Sequence, residues 1–229
     1  MPCTVVLLPG LDGSGDQFVP LIRALGPDVP TLTVRYPDAP LDYQALQHIV
    51  TAVLPQDCPY VILGESFSGP IAVSVAAQAP RGLLGCVLCA SFVANPRRLL
   101  RLALPFARFA PLNQVPSAIS DYLVMGGFAT PELRQMQLDA RRNLSPATLV
   151  ARLRAVSRVN VVGALKATRL PTLYLRATED RLIPRSASQL YLRYAQAGRV
   201  LDLEGPHFLL QARPNPAAAA VRIFLKGLE

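Results

Sequence analysis

The chain of 229 residues is long enough for one α/β domain, and its 51% hydrophobic and 17% charged residues are typical of a compact globular protein. Its net charge of +8 is concentrated between residues 95 and 160, where ten arginines accompany only three acidic residues. Stacking aromatic residues do not interleave with this charge in a recognisable module, so nucleic-acid binding is not favoured. The basic span is either a set of solvated helix faces or a patch that attracts an anionic substrate or an acidic partner.

The amino-terminal segment is apolar but has no basic leader and runs directly into a loop, so the sequence does not predict a signal peptide. The longest nearly uncharged run, residues 61–79, is interrupted by Glu65, by Pro70 and by turn-forming glycine and serine residues. We therefore expect no membrane span, and we expect a cytoplasmic protein.

The first 94 residues alternate short apolar runs with longer helical patterns. The predicted strands are residues 4–8, 31–36, 60–63 and 83–90, and the predicted helices are residues 17–25, 43–54 and 70–78. The alternation returns near the end, with strands 171–175 and 199–203 and helices 187–195 and 217–225. Continuous apolar strands that alternate with helices predict a parallel sheet covered on both faces. The expected fold class is α/β, with about six strands that are mostly or wholly parallel.

The segment Gly64-Glu65-Ser66-Phe67-Ser68-Gly69 joins the third predicted strand to the helix that follows it. A serine in a sharp strand-to-helix turn, with small residues on both sides, is the pattern of a nucleophile elbow. The turn strains the backbone of the serine, and large residues two positions away on either side would collide. Gly64 and Ser68 both meet this requirement, although Ser68 stands where glycine is most common. Ser66 is therefore a candidate nucleophile.

Two of the four cysteines, Cys86 and Cys89, have a C-x-x-C spacing. They lie inside the apolar run of a predicted buried strand, where residues an odd number apart face opposite ways. We therefore expect both thiols in the core, with disulfide or metal chemistry as the less favoured alternative.

Residues 95–165 contain helical patterns that no strand pattern interrupts, and Thr130-Pro131 and Ser145-Pro146 mark two helix starts. An insertion where a parallel strand ends lies over the carboxyl edge of the sheet, at which ligands bind. We call residues 95–165 the cap and expect them to act as a lid. The expected organisation is one domain, residues 1–229, with core halves 1–94 and 166–229.

A serine nucleophile needs a base within hydrogen-bond reach, and the chain offers two histidines. His207 lies in a loop with glycine and proline after the last predicted strand, so it can reach the same edge of the sheet as Ser66. His48 lies in a predicted helix upstream of the serine and is expected to be structural. His207 is therefore the candidate base.

The base in turn needs an acid that holds the imidazole in the correct tautomer. Asp180 follows the strand predicted at 171–175 and is the candidate acid. The neighbouring Glu179 is an alternative acid, and Glu204 is a less favoured one.

The elbow, the strand pattern and the chain order Ser66, Asp180, His207 resemble the α/β-hydrolase superfamily, particularly its carboxylesterase-like members with a helical cap. The resemblance covers nearly the whole chain. It includes the segment Leu8-Pro9-Gly10-Leu11-Asp12-Gly13-Ser14-Gly15, which stands where the family has its oxyanion loop.

This resemblance implies that the backbone N–H groups of Leu11 and Phe67 bind the oxyanion of a tetrahedral intermediate. Two features depart from the family pattern: Pro9 replaces a histidine that often precedes the loop glycine, and no counterpart of the first family strands precedes Thr4. Because the implied donors are backbone groups, Pro9 does not by itself abolish activity.

Other motifs fit less well. Residues 10–15 have the spacing G-x-x-G-x-G, which differs from the dinucleotide-binding fingerprint, and residues 64–69 lack the Gly-Lys-Ser/Thr ending of a phosphate-binding loop. No His, Cys, Asp and Glu cluster has metal-ligand spacing. We expect no cofactor and no metal ion.

The expected activity is hydrolysis of carboxylic esters with small or medium acyl groups through an acyl-enzyme intermediate. One alternative is a thioesterase or acyltransferase that acts on carrier-bound acyl groups, and the arginine-rich cap motivates an acidic carrier protein as partner. Another alternative is a non-catalytic protein that binds a ligand in the same pocket.

Overall fold

A computed structural model describes residues 2–97 and 117–228 of the chain. It contains one sheet of six strands: β1 (Thr4–Leu8), β2 (Thr31–Thr33), β3 (Tyr60–Glu65), β4 (Leu83–Cys89), β5 (Thr172–Ala177) and β6 (Gly198–Leu203). Every pair of neighbouring strands is parallel, and the order across the sheet is β2-β1-β3-β4-β5-β6. The prediction of a wholly parallel sheet of about six strands is confirmed.

Helices cover both faces of the sheet, as expected for continuous apolar strands. One face carries α1 (Val19–Leu25), α9 (Leu209–Ala212) and α10 (Pro214–Lys226). The other carries α2 (Tyr43–Ala52), α3 (Gly69–Ala76), α7 (Val162–Ala167) and α8 (Arg185–Tyr194). The remaining described helices are α4 (Ser117–Val124), α5 (Pro131–Arg142) and α6 (Pro146–Arg158).

The strands divide the core into two layers because successive side chains point to opposite faces. In β1, Val5 and Leu7 pack in one layer and Val6 and Leu8 in the other, and all four are fully buried. Cys86 and Cys89 are buried, free and in different layers. The prediction that these two thiols face opposite sides of a core strand is confirmed.

The cap connects β4 to β5, and its described part holds α4, α5, α6 and the start of α7. Thr130 and Ser145 each accept a hydrogen bond from the backbone N–H three residues later, at Leu133 and Thr148. Both predicted helix starts are therefore confirmed. Three of the cap arginines, Arg98, Arg101 and Arg108, lie outside the described residues.

The cap contacts the core at the carboxyl edge of the sheet. The Phe208 N–H donates to the Val124 carbonyl at 3.1 Å, and the Phe208 ring packs against Met125 and Leu133. Within the cap, the segment that follows β4 meets the end of α6, where Asn95 Nδ2 donates to the Ser157 carbonyl. The loop that follows β6 is thus held directly beneath the cap.

None of the helices in the two described stretches is both long and apolar enough to cross a membrane.

Candidate active site

Ser66 stands at the end of β3 and begins a 3-10 turn, Ser66–Ser68, that continues into α3. Its φ of 46° lies in the left-handed region, which costs a residue with a side chain on the order of 1–3 kcal/mol. A Cβ added at Gly64 would lie 2.7 Å from the Ser68 carbonyl oxygen and 2.9 Å from Ala72 Cβ. A Cβ at Gly69 would collide with Ser91. The small residues around Ser66 are therefore a steric requirement of the turn.

Ser68, which departs from the usual glycine, is fully buried and hydrogen-bonded on both sides. Its hydroxyl donates to the Pro9 carbonyl oxygen. The Tyr36 hydroxyl lies 2.7 Å from Ser68 Oγ and is left as the donor, because the single Ser68 proton is already used. Ser68 thus ties the elbow to the loop after β1, a contact that glycine could not make.

The structure brings the three predicted residues Ser66, His207 and Asp180 into one hydrogen-bonded chain. Ser66 Oγ lies 2.9 Å from His207 Nε2, and His207 Nδ1 lies 2.8 Å from Asp180 Oδ2. The other Asp180 oxygen, Oδ1, accepts hydrogen bonds from the backbone N–H groups of Leu182 and Ile183, both at 2.8 Å. These two bonds fix the carboxylate, which in turn fixes the imidazole ring.

The alternative residues lie outside this chain. Glu179 is exposed, and Glu204 is exposed and faces Arg213 at 3.8 Å. His48 is exposed on α2. Among the candidates from the sequence, Asp180 and His207 are therefore the carboxylate and the imidazole that lie in one hydrogen-bonded chain with Ser66.

The electrostatic setting of His207 favours its charged form. Burial alone would lower the pKa of this imidazole, but the charge of Asp180 and its hydrogen bond, together with Glu65, raise it above the ordinary value. The arrangement suits a base that must carry a proton for part of a reaction cycle.

The two residues implied as oxyanion donors belong to different elements near Ser66. Leu11 lies in the loop after β1 and lines the same cavity as Ser66 and His207. Phe67 is the second residue of the 3-10 turn, so no carbonyl within the turn or helix can accept a hydrogen bond from its N–H. The loop after β1 and the 3-10 turn at Ser66 thus each bring one of the implied donor residues to the site.

A cavity of about 790 Å³ opens over Ser66 between the sheet edge and the cap. Its lining is mostly apolar, and the cap contributes Leu123, Val124, Leu138, Leu149 and Leu153. Two arginines of α5, Arg141 and Arg142, also line it. The cavity can hold an apolar acyl group next to the hydroxyl of Ser66, with positive charge on the cap side.

Glu65, between Gly64 and Ser66, is a buried carboxyl that the sequence did not single out. It is 4% exposed, and its Oε1 accepts a hydrogen bond from Gln211 Nε2 at 2.8 Å, while its Oε2 has no partner among the described residues. Burial raises the pKa of Glu65 to about 7, although the Gln211 bond lowers it. Burial therefore favours the protonated form of this carboxyl.

Sequence reasoning also missed Arg152, Tyr36 and Gln211, which support the site from other elements. Arg152 counted only as one of ten cap arginines, and its helical position gave no sign of burial. Tyr36 ends a predicted strand, and a buried hydroxyl that meets Ser68 depends on a contact between distant segments. Only pairing information between segments could have found these residues.

Within the stretches 2–97 and 117–228, no group of three or more His, Cys, Asp or Glu side chains is placed to hold a metal ion. The hydrogen-bonded chain at Ser66 is thus the chemically distinctive feature of the described cavity.

Comparison with known proteins agrees with the topology. The sequence profile of the alpha/beta hydrolase family matches residues 5–221. The chain belongs to this family. The match spans the elbow, both core halves and the cap, so the resemblance seen in the sequence is confirmed.

Curated relatives and solved structures are similar over nearly the whole chain. The pimeloyl-[acyl-carrier protein] methyl ester esterase of Xylella fastidiosa strain M12 is 27% identical, over 98% of this chain and 95% of that protein. The enol-lactonase of Burkholderia xenovorans LB400 superposes with a TM-score of 0.85 at 16% identity, over 99% of this chain and 92% of that one. The esterase EaEST of Exiguobacterium antarcticum superposes with a TM-score of 0.83 at 14% identity, over 98% and 92%.

The buried Glu65 carboxyl makes stability depend on pH. Between its unfolded pKa of 4.5 and its folded value of about 7, the unfolded chain is ionised while the folded chain keeps the proton. Stability contributed by this group is therefore lost as pH rises through that window. Glu65→Gln cannot ionise and keeps an oxygen for Gln211. Its free energy of unfolding should therefore rise by up to about 3 kcal/mol relative to that of the native chain between pH 5 and pH 8.

Urea unfolding of the native chain and of Glu65→Gln at pH 5 and at pH 8 measures this gain in the free energy of unfolding. Glu179→Gln, an exposed carboxyl in the loop after β5, is the matched control and should show no such gain. An equal pH dependence for native chain and Glu65→Gln would contradict the assignment of a buried, proton-retaining carboxyl.

Proposed function

We propose that the protein is a serine hydrolase that cleaves carboxylic esters of small or medium acyl groups through an acyl-enzyme intermediate. The observation that carries the proposal is the hydrogen-bonded chain from Ser66 through His207 to Asp180, at the base of a mostly apolar cavity. Family membership and relatives named as esterases support it. The complete chain of donor and acceptor groups favours catalysis over a role in ligand binding alone.

In the proposed first step, Ser66 Oγ attacks the ester carbonyl carbon and His207 Nε2 takes the hydroxyl proton. The carbonyl π electrons move to its oxygen, which the N–H groups of Leu11 and Phe67 would stabilise. Asp180 balances the charge of the imidazolium and keeps its Nδ1–H oriented. The tetrahedral intermediate then collapses, the alcohol leaves with the proton from His207, and Ser66 is acylated.

In the second step a water molecule replaces the alcohol. His207 takes a proton from that water as it attacks the acyl carbon, and the same two N–H groups stabilise the new oxyanion. Collapse returns the proton to Ser66 Oγ and releases the carboxylic acid. The base and the donors are thus used twice, which is why a single rigid site suffices for both steps.

We further propose that the cap acts as the lid that selects the acyl group. Leu123, Leu138 and Leu149 face the cavity from three cap helices, so their shapes limit the length of an apolar chain next to Ser66. Burial of such a chain contributes roughly 0.8 kcal/mol for each methylene group, which favours medium chains over acetate.

Hydrolysis of a chromogenic short-chain ester tests the assigned roles. Ser66→Ala should lower kcat by on the order of 10⁴-fold or more, and Asp180→Asn by about 10³- to 10⁴-fold, because the former removes the nucleophile and the latter loses the correct imidazole tautomer. Glu179→Gln, next to Asp180 but exposed, should stay within about twofold.

Full activity in folded Ser66→Ala would contradict the mechanism. A loss in Glu179→Gln equal to that in Asp180→Asn would instead show that the wrong carboxylate has been assigned.

A second proposal concerns how the substrate is presented. Arg141 and Arg142 line the cavity on its cap side, and the Arg142 side chain is 72% exposed. Arg154 and Arg158 are exposed on the next cap helix. Relatives named pimeloyl-[acyl-carrier protein] methyl ester esterases support an ester that an acidic carrier protein presents to this arginine-rich surface. Thioesterase or acyltransferase action on carrier-bound groups would use the same surface.

A salt series with two substrates tests this second proposal. For a carrier-bound methyl ester, kcat/KM should fall about tenfold or more between 50 mM and 500 mM salt, because screening weakens attraction between exposed charges. For a neutral free ester it should change little. At low salt, Arg142→Glu should lower the ratio of kcat/KM for the carrier-bound ester to kcat/KM for the free ester. Arg193→Glu, on α8 outside the cap, should leave this ratio unchanged.

Equal salt dependence for both substrates, or an unchanged ratio in Arg142→Glu, would remove the carrier proposal. The esterase proposal would stand in either case.

A further inference from the structure

Arg152 of α6 is buried in a place where charge is costly. Its side chain is 1% exposed, and none of the described carboxylates forms an ion pair with it. Burial lowers the pKa of this guanidinium, an effect that the charges of Asp12 and Asp38 oppose, and its Nε has no acceptor among the described residues. Without a direct ion pair, such burial is unfavourable unless the remaining donors have well-placed acceptors. The hydrogen-bond partners of this guanidinium therefore indicate the role of Arg152.

Those partners are main-chain carbonyl groups at the site. Arg152 Nη1 donates to the Leu11 carbonyl at 2.7 Å, and Nη2 donates to the Pro37 carbonyl at 3.0 Å. The guanidinium carbon also lies 6.0 Å from the centroid of the Phe67 ring. A Cβ added at Gly13 would lie 2.6 Å from Nη1, so a glycine makes room for the charge. One cap side chain therefore touches both residues implied as oxyanion donors.

Hydrogen bonds hold the peptide unit that contains the Leu11 N–H and the peptide units on either side of it. The carbonyl of this peptide unit, that of Gly10, accepts a hydrogen bond from the Gly13 N–H at 3.2 Å. Because the peptide bond between Gly10 and Leu11 is trans, the Leu11 N–H points away from that carbonyl and out of the turn. The preceding carbonyl, Pro9, is held by Ser68. The following carbonyl, Leu11, is held by Arg152. Of these three constraints, only the last comes from the cap.

We propose that Arg152 is a positioning residue that fixes the direction of the Leu11 N–H from the cap side. The inference rests on the function proposed above, because it assigns the Leu11 N–H to the developing oxyanion. An N–H donor stabilises a transition state only when it is aimed at the oxygen before the reaction begins. The placement of α6 therefore sets the rate of the chemical step as well as the shape of the acyl pocket.

Arg152→Met removes the donors and keeps an apolar side chain of similar reach. With a neutral chromogenic ester, kcat should fall about tenfold to a hundredfold, while KM stays within about twofold. This fall is at most similar to the rate loss caused by removing a whole oxyanion donor. Affinity for a trifluoromethyl ketone matched to the ester should fall in the same proportion, because its tetrahedral adduct uses the same N–H groups. Rates are expressed per active site, counted by end-point titration with a fluorophosphonate.

Two further variants make the test decisive. Arg193→Met changes an exposed arginine of α8, outside the cap, and should leave kcat and ketone affinity unchanged. Arg152→Lys keeps the charge but lacks the two-pronged donor and should give an intermediate loss. If Arg152→Met yields no titratable sites, the lysine variant decides.

Normal kcat and normal ketone affinity per titrated site, or a rise in KM alone, would overturn the inference. Such a result together with an inactive Ser66→Ala would leave the esterase proposal intact. Activity in folded Ser66→Ala would instead overturn the proposed function itself.

Discussion

The left-handed backbone at Ser66 is the constraint to which the surrounding structure is fitted. A turn this sharp lifts the hydroxyl out of the sheet edge, but it leaves no room for side chains at Gly64 and Gly69. The conformational cost is offset by the packed strand before it and the buried helix after it, since β3 is buried along its whole length. A rigid core thus holds one unfavourable residue where a reacting group is useful.

Polar contacts then transmit this geometry to the neighbouring loops. Ser68 reaches the Pro9 carbonyl from within the elbow, and Arg152 reaches the Leu11 carbonyl from the cap. Glu65 and Gln211 join the elbow to α9, directly after the loop that carries His207. Each of these groups is buried, where an unpaired polar atom is costly, so the loops have few alternative arrangements. The proposed catalytic groups are therefore held by hydrogen bonds as well as by packing.

Local patterns were sufficient to predict the sheet, both helix starts at Thr130 and Ser145, and the meeting of Ser66, Asp180 and His207. Apolar runs and proline after a capping residue are properties of short segments, and parallel topology brings strand ends together. The chain order Ser66, Asp180, His207 matched the pattern of a known family. The structural roles of Ser68 and Arg152 could not be predicted this way. Their partners lie 59 and 141 residues away in the sequence, and whether an arginine is buried depends on packing that no local pattern encodes.

The most direct test of the account is the site and pH dependence of covalent labelling by a fluorophosphonate. The reagent should modify the folded protein at Ser66 alone, as mapped by the mass of the modified peptide. The labelling rate should rise with pH through a midpoint above 6.5, because Asp180 and Glu65 raise the pKa of His207 and only the neutral imidazole can take the serine proton. An unlabelled folded protein, or an adduct on any residue other than Ser66, would contradict the proposed nucleophile.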